Sequence, residues 1–127
     1  MNDPGGTLGI GLVAHDEKKA DLLAWAQDHR AALARHRLFA TGTTGRILKE
    51  ATGLPITALL SGPLGGDAQL GAMIAERRLD ALVFFVDPLS AHPHDVDVKA
   101  LIRLACLYDV AFAINRRTAD LILPEPR

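Results

Sequence analysis

The chain has 127 residues, 49% of them hydrophobic, and its 14 basic and 15 acidic side chains leave a formal charge of −1. That length and apolar content suit one domain with a real core. The balanced charge, with no block of lysine and arginine, argues against a nucleic-acid partner or an anionic membrane surface.

The start, "MNDPGGTL", has no signal-peptide shape, and no apolar run is long enough to span a bilayer. Residues 1–6 are expected to be a flexible tail and 7–127 a single domain. The first strong element is the continuous apolar run "LGIGLVA" (8–14). It does not alternate, as expected of a strand buried on both faces. Leu22, Trp25, Ala26, His29 and Leu33 then recur at helical spacing. "HRLFA" (36–40) is a weaker strand candidate. A short helix around Ile47, Leu48 and Ala51 is expected to end at Gly53 as its C-cap, with Pro55 just beyond. "ITALL" (56–60) is a third strand candidate, and Leu70, Met73 and Ile74 mark a helix after a glycine-rich loop. "ALVFFV" (81–86) is the second continuous apolar run. Val98, Leu101, Ile102 and Ala105 again repeat with helical spacing. Cys106 lies in that helical pattern and, as the one cysteine, forms no internal disulfide, which fits a reducing cytoplasm. "VAFAI" (110–114) is the last strand candidate, and Asn115 is placed to cap a final helical segment through Leu121. Strands alternating with helices predict a single-domain, cytoplasmic α/β protein with an open parallel sheet, right-handed crossovers and helices on both faces.

Ligands of such sheets bind at the carboxyl ends of the strands, and the polar clusters fall at those ends. "HDEKK" (15–19) offers His15 as a hydrogen-bond partner for a substrate oxygen and Lys19 as a phosphate contact. The competing reading is that Asp16 caps a helix and Lys19 is merely solvated. "ATGTTG" (40–45) places the hydroxyls of Thr41, Thr43 and Thr44 between glycines, as a helix N-terminus that binds an anion would. The plainer alternative is a turn with Thr43 or Thr44 as N-cap, and the segment lacks the lysine of a Walker loop. In "SGPLGGD" (61–67), Ser61 and Gly62 are candidate phosphate donors. Asp67 is either the N-cap of the next helix or a chemical group beside the anion. Asp87 ends the run "FVDP" and either organises its loop or reaches the site. "HPHDVD" (92–97) is the densest polar segment. Metal binding by His92, His94, Asp95 and Asp97 is one reading, although the proline and the spacing are unlike a zincin helix. The other makes His94 an acid–base group, with Asp97 as its partner or as an N-cap. Together these clusters describe a small polar pocket for a phosphorylated substrate undergoing proton chemistry.

"LVAHD" with Lys19, "ATGTTG", "LLSGPLGGDAQLGA", "FFVDPL", "PHDVDVKALIRLA" and "NRRTADLIL" resemble the methylglyoxal synthase family, in order and over roughly residues 8–123. The resemblance implies conversion of dihydroxyacetone phosphate into methylglyoxal and inorganic phosphate, with no cofactor and no metal, by a homohexamer whose α/β subunit has an open five-stranded parallel sheet. It implies that Asp67 is the catalytic base, that His94 polarises the carbonyl and moves protons, and that Asp97 supports it. His15, Lys19, Thr41, Thr43, Thr44, Ser61 and Gly62 would bind substrate and phosphate, with Asp16 and Asp87 in support. Family members often carry a longer C-terminal tail with an arginine near a neighbouring subunit's site. This sequence ends at "LPEPR", so phosphate is expected to be a simple competitor of substrate. A rival reading is a non-catalytic effector-binding module, since the regulatory domain of carbamoyl-phosphate synthetases shares the implied fold. Such a module has no need for Asp67 and His94 together.

Overall fold

The computed structural model describes residues 7–89 and 98–123. The expected N-terminal tail, 1–6, lies outside them. Five strands form one all-parallel sheet: β1 (Gly9–Ala14), β2 (Arg37–Thr41), β3 (Ile56–Leu59), β4 (Ala81–Phe85) and β5 (Ala111–Ala113), in the spatial order β3-β2-β1-β4-β5. The helices are α1 (Lys19–Asp28), α2 (Arg30–Leu33), α3 (Gly42–Thr52), α4 (Gly66–Ala75), α5 (Val98–Tyr108) and α6 (Arg116–Ile122). None of the described helices is long and apolar enough to cross a membrane.

The unbroken apolar runs are explained by two separate cores. Ile10, Leu12 and Ala14 of β1 pack with Leu38, Ala40, Ala81, Val83 and Phe85 on one face, against Leu22 and Trp25 of α1, Leu48 of α3 and Ala119 of α6. Val13, Leu82 and Phe84 point to the other face, against Leu70 and Ile74 of α4 and Leu101 of α5. Successive strand residues alternate between faces, and here both faces are covered. The run must therefore be apolar throughout.

The helical pattern from Leu22 to Leu33 is interrupted at His29, which separates α1 from α2. The ring of His29 stacks on Trp25 at 4.9 Å, and its Nδ1 lies 3.0 Å from the Trp25 carbonyl, which can only accept. Trp25 also donates its indole N–H to Asp120 at 2.9 Å, tying α1 to α6. Gly53 is in the left-handed region, φ 73°, and returns its N–H to Lys49, as expected of a helix C-cap. Asn115 caps α6 by accepting the N–H of Thr118 at 2.9 Å.

Candidate active site at the carboxyl ends of the strands

The sheet order sets the location. From β1 and β2 the chain crosses through α1 and α3 on one face, whereas from β3 and β4 it crosses through α4 and α5 on the other. β1 and β4 are neighbours whose connections leave in opposite directions. The carboxyl ends of two such strands open into a crevice, the usual ligand position in this architecture.

His15 and Asp87 stand on either side of that crevice. The ring of His15 is buried and meets Phe84 edge-on at 5.1 Å. Its Nδ1 accepts the backbone N–H of Asp87 at 2.9 Å. A backbone N–H can only donate, so Nδ1 carries no proton and Nε2 carries the ring N–H. The carboxylate of Asp87 accepts the N–H of Leu89 at 3.0 Å, which folds the loop after β4. Of the two roles considered for Asp87, organising the loop is the one with a direct contact.

The next residues form a tight turn. Asp16–Lys18 is a single 3-10 turn with His15 at its N-cap position, and α1 begins only at Lys19. Asp16 is thus not the helix cap. It pairs instead with Lys19, Oδ1 to Nζ at 2.9 Å. The pair fixes an ammonium at the start of α1, and Asp16 remains mostly exposed.

The two glycine loops meet each other. Thr41 is the last residue of β2 and the N-cap of α3, with Gly42, Thr43 and Thr44 as the first turn. Neither Thr43 nor Thr44 is the cap, because the helix begins directly from the strand. Thr41 and Thr44 are buried and Thr43 is exposed. N–H groups in a helix's first turn have no intrahelical partner, so those of Thr43 and Thr44 are donors suited to an anion. Glycine at 42 has a steric cause as well: a Cβ there would lie 2.9 Å from the Cβ of Ser61. A Cβ on Gly66 would lie 2.0 Å from the Leu60 carbonyl oxygen and 3.0 Å from the Thr41 methyl. The starts of α3 and α4 thus close on the segment between β3 and α4.

That segment is itself ordered by hydrogen bonds. Ser61 precedes a 3-10 turn, Gly62–Leu64, and its carbonyl accepts the N–H groups of Leu64 at 3.0 Å and Gly66 at 2.9 Å. Gly65, with φ 112°, is the N-cap of α4. Asp67 is therefore not the cap. It sits in the first turn of α4, half-buried, and its Oδ1 accepts the adjacent Ala68 N–H at 2.9 Å. With Gly71, Ala72, Leu101 and Leu104 it lines a groove of about 260 Å³ between α4 and α5.

His92, His94, Asp95 and Asp97 lie outside the described residues. One residue that the sequence reading passed over belongs to the site's frame. Gln69 of α4 accepts the Leu60 N–H through Oε1 at 2.7 Å. Nothing in the local sequence marks it, because its partner comes from the end of β3.

The fold defines an open α/β domain whose carboxyl rim carries the glycine-rich starts of two helices, a carboxylate and a buried histidine. Residues 21–114 match the MGS-like domain family. The chain is 59% identical to the methylglyoxal synthase of Oleidesulfovibrio alaskensis, across 95% of this chain and 83% of that one. It is 56% identical to the methylglyoxal synthase of Erwinia tasmaniensis, across 92% and 77% of the two chains. The crystal structure of methylglyoxal synthase from Elizabethkingia anophelis superposes with a TM-score of 0.90 at 51% identity, covering 94% of this chain and 79% of that one. The chain belongs to the methylglyoxal synthase family and is an enzyme of that family.

Proposed function

We propose that this protein converts dihydroxyacetone phosphate into methylglyoxal and inorganic phosphate, with Asp67 as the general base. The observation that carries this reading is the position of Asp67, in the first turn of α4 directly after a loop packed on the glycine start of α3. A phosphate held by the N–H groups and hydroxyls of Thr41, Thr43, Thr44, Ser61 and Gly62, and by the Lys19 ammonium, would place the rest of a three-carbon substrate near that carboxylate. The Asp16–Lys19 pair and the His15–Asp87 contact support this arrangement by holding a cation and a ring N–H at the same rim.

Asp67 removes a proton from the hydroxymethyl carbon next to the ketone, which gives an enediolate. His15, through Nε2–H, donates to a substrate oxygen. His94 polarises the carbonyl and moves protons between the oxygens, with Asp97 behind it, as the family resemblance of "PHDVD" implies. The electron pair of the enediolate then expels phosphate, breaking the C–O bond. The resulting enol takes up a proton at its terminal carbon and becomes methylglyoxal. Substrate minus phosphate accounts for every atom, so no redox partner is required. A homohexameric assembly in the cytoplasm is part of the same proposal.

The test is direct measurement of methylglyoxal and phosphate released from dihydroxyacetone phosphate, with and without a chelator. Equal release of both, insensitive to chelator, supports the reading. Phosphate without methylglyoxal would point to simple ester hydrolysis, and no product at all would favour an effector-binding module.

A further inference from the structure

Among the described residues β3 is an outer strand, paired with β2 alone. Beyond its last residue the Leu60 carbonyl turns to the Gly42 N–H, at 3.4 Å. The Leu60 N–H is taken by Gln69 Oε1 at 2.7 Å. Only the oxygen end of a glutamine amide accepts, so this contact also fixes which way the amide faces. The same carbonyl is the atom against which Gly66 packs, leaving no room for a side chain there. One residue, Leu60, is thus touched by the start of α3 through Gly42, by the start of α4 through Gly66, and by the next turn of α4 through Gln69. Gln69 lies two positions after Asp67 on the same helix.

We infer that Gln69 is a positioning residue that ties Leu60 to α4 and so sets the placement of Asp67 relative to the phosphate donors at Thr41–Thr44 and Ser61–Gly62. This rests on the reading of Asp67 as base and of those loops as the phosphate site. Gln69 is exposed, so water competes for the Leu60 N–H and the bond adds little to global stability. Catalysis is far more sensitive than stability here. A misplacement of about 1 Å between a base and its substrate can lower the rate by about 10²-fold.

Two variants separate positioning from general structure. Gln69→Met keeps the length of the side chain but removes the acceptor. Gln69→Glu keeps an acceptor at the same reach. Solvent exchange of the Leu60 amide, followed by NMR, reports the clamp itself, and kcat and KM for dihydroxyacetone phosphate report its consequence. In Gln69→Met the Leu60 amide should exchange at least about tenfold faster and kcat should fall about tenfold or more, with the thermal midpoint nearly unchanged. In Gln69→Glu both amide protection and most of kcat should return, while the added charge raises KM. Faster Leu60 exchange with wild-type kcat and KM would overturn the inference. So would an equal loss of kcat in the two variants, or a loss of kcat in Gln69→Met with exchange unchanged. A wild-type protein that releases no methylglyoxal would instead overturn the reaction. The Leu60 exchange rates would then decide the clamp alone, and equal rates in all three proteins would sink it.

Discussion

The backbone N–H of Asp87 donates to Nδ1 of His15 at 2.9 Å, joining the ends of β4 and β1 across the crevice where the sheet changes winding. This bond selects the tautomer of a buried ring and leaves Nε2–H as its outward donor. It also makes the two ring nitrogens separable by mutation. An asparagine oxygen can stand near the Nδ1 position but supplies nothing near Nε2. His15→Asn should therefore keep the Asp87 contact and most of the stability, while kcat/KM falls about tenfold to a hundredfold, the worth of one well-placed hydrogen bond of roughly 1.5–3 kcal/mol. Thermal unfolding and steady-state rates on the same preparation check this. A near-wild-type kcat/KM would remove His15 from the site.

Asp67 offers a cleaner substitution still. Its Oδ1 accepts the Ala68 N–H at 2.9 Å, and an asparagine oxygen can accept the same bond. Asp67→Asn should fold normally and still bind a phosphorylated enediolate analogue. Loss of a general base should lower kcat by about 10² to 10⁴. Turnover within a few-fold of wild type would show that the proton is removed by another group.

The two central strands, β1 and β4, were the most legible because both of their faces are buried. The run 81–86 contains β4 (Ala81–Phe85), and 8–14 contains β1 (Gly9–Ala14). Helix starts were less so. Thr43 and Thr44 have the composition of N-caps, yet Thr41 takes that place because α3 follows β2 without a loop. The polar clusters do fall at the carboxyl ends of the strands: His15 follows β1, Thr41 ends β2 and Asp67 comes after β3. The contact of Gly42 with Ser61 was hidden, because it depends on the register that sets Thr41 beside Leu59. Gln69 was hidden for the same reason. A polar residue on the exposed side of a helix carries no signal until the strand end that it holds is known.

His36 governs a pH effect at the opposite end of the sheet. Its Nδ1 accepts the Leu8 N–H at 3.0 Å, and its Nε2 is buried without a partner among the described residues. Burial, and then the positive charges of Arg35 and Arg37, push its pKa below the ordinary histidine value. Below about pH 6.5 the unfolded chain takes up a proton at His36 that the folded chain refuses. Stability from this group is therefore complete above that pH and is lost as the pH falls below it, down to the depressed folded value. His36→Asn retains an acceptor for Leu8 and should lessen the acid-side loss. Urea unfolding at pH 7.5 and pH 5.5 measures the difference. Equal acid losses in the variant and the wild type would show that other groups carry it.

His94 lies outside the described residues, and its role rests on "PHDVD". If it steers the intermediate after Asp67 has acted, His94→Gln should slow methylglyoxal release more than it slows exchange of the substrate's carbon-bound hydrogen with solvent. A matched fall in the two rates would place His94 in the first proton transfer instead.

Lys19 and Asp16 separate charge from stability. Their contact at 2.9 Å lies near the surface, with Asp16 mostly exposed, and such pairs contribute about 0–1 kcal/mol. Lys19→Met should therefore change the unfolding midpoint little. Its effect belongs to binding, because an ammonium–phosphate hydrogen bond is charge-assisted and is worth roughly 1.5–3 kcal/mol. KM for dihydroxyacetone phosphate should rise about tenfold to a hundredfold, with kcat reduced less. Inorganic phosphate is both product and fragment of the substrate, so its inhibition constant should rise in parallel. Lys19→Arg keeps the charge but brings a planar, wider head, and should recover only part of the loss. If KM rose in Lys19→Met while phosphate inhibition stayed at the wild-type level, the ammonium would be meeting the carbonyl end of the substrate, and the phosphate would have to be held by the helix starts alone.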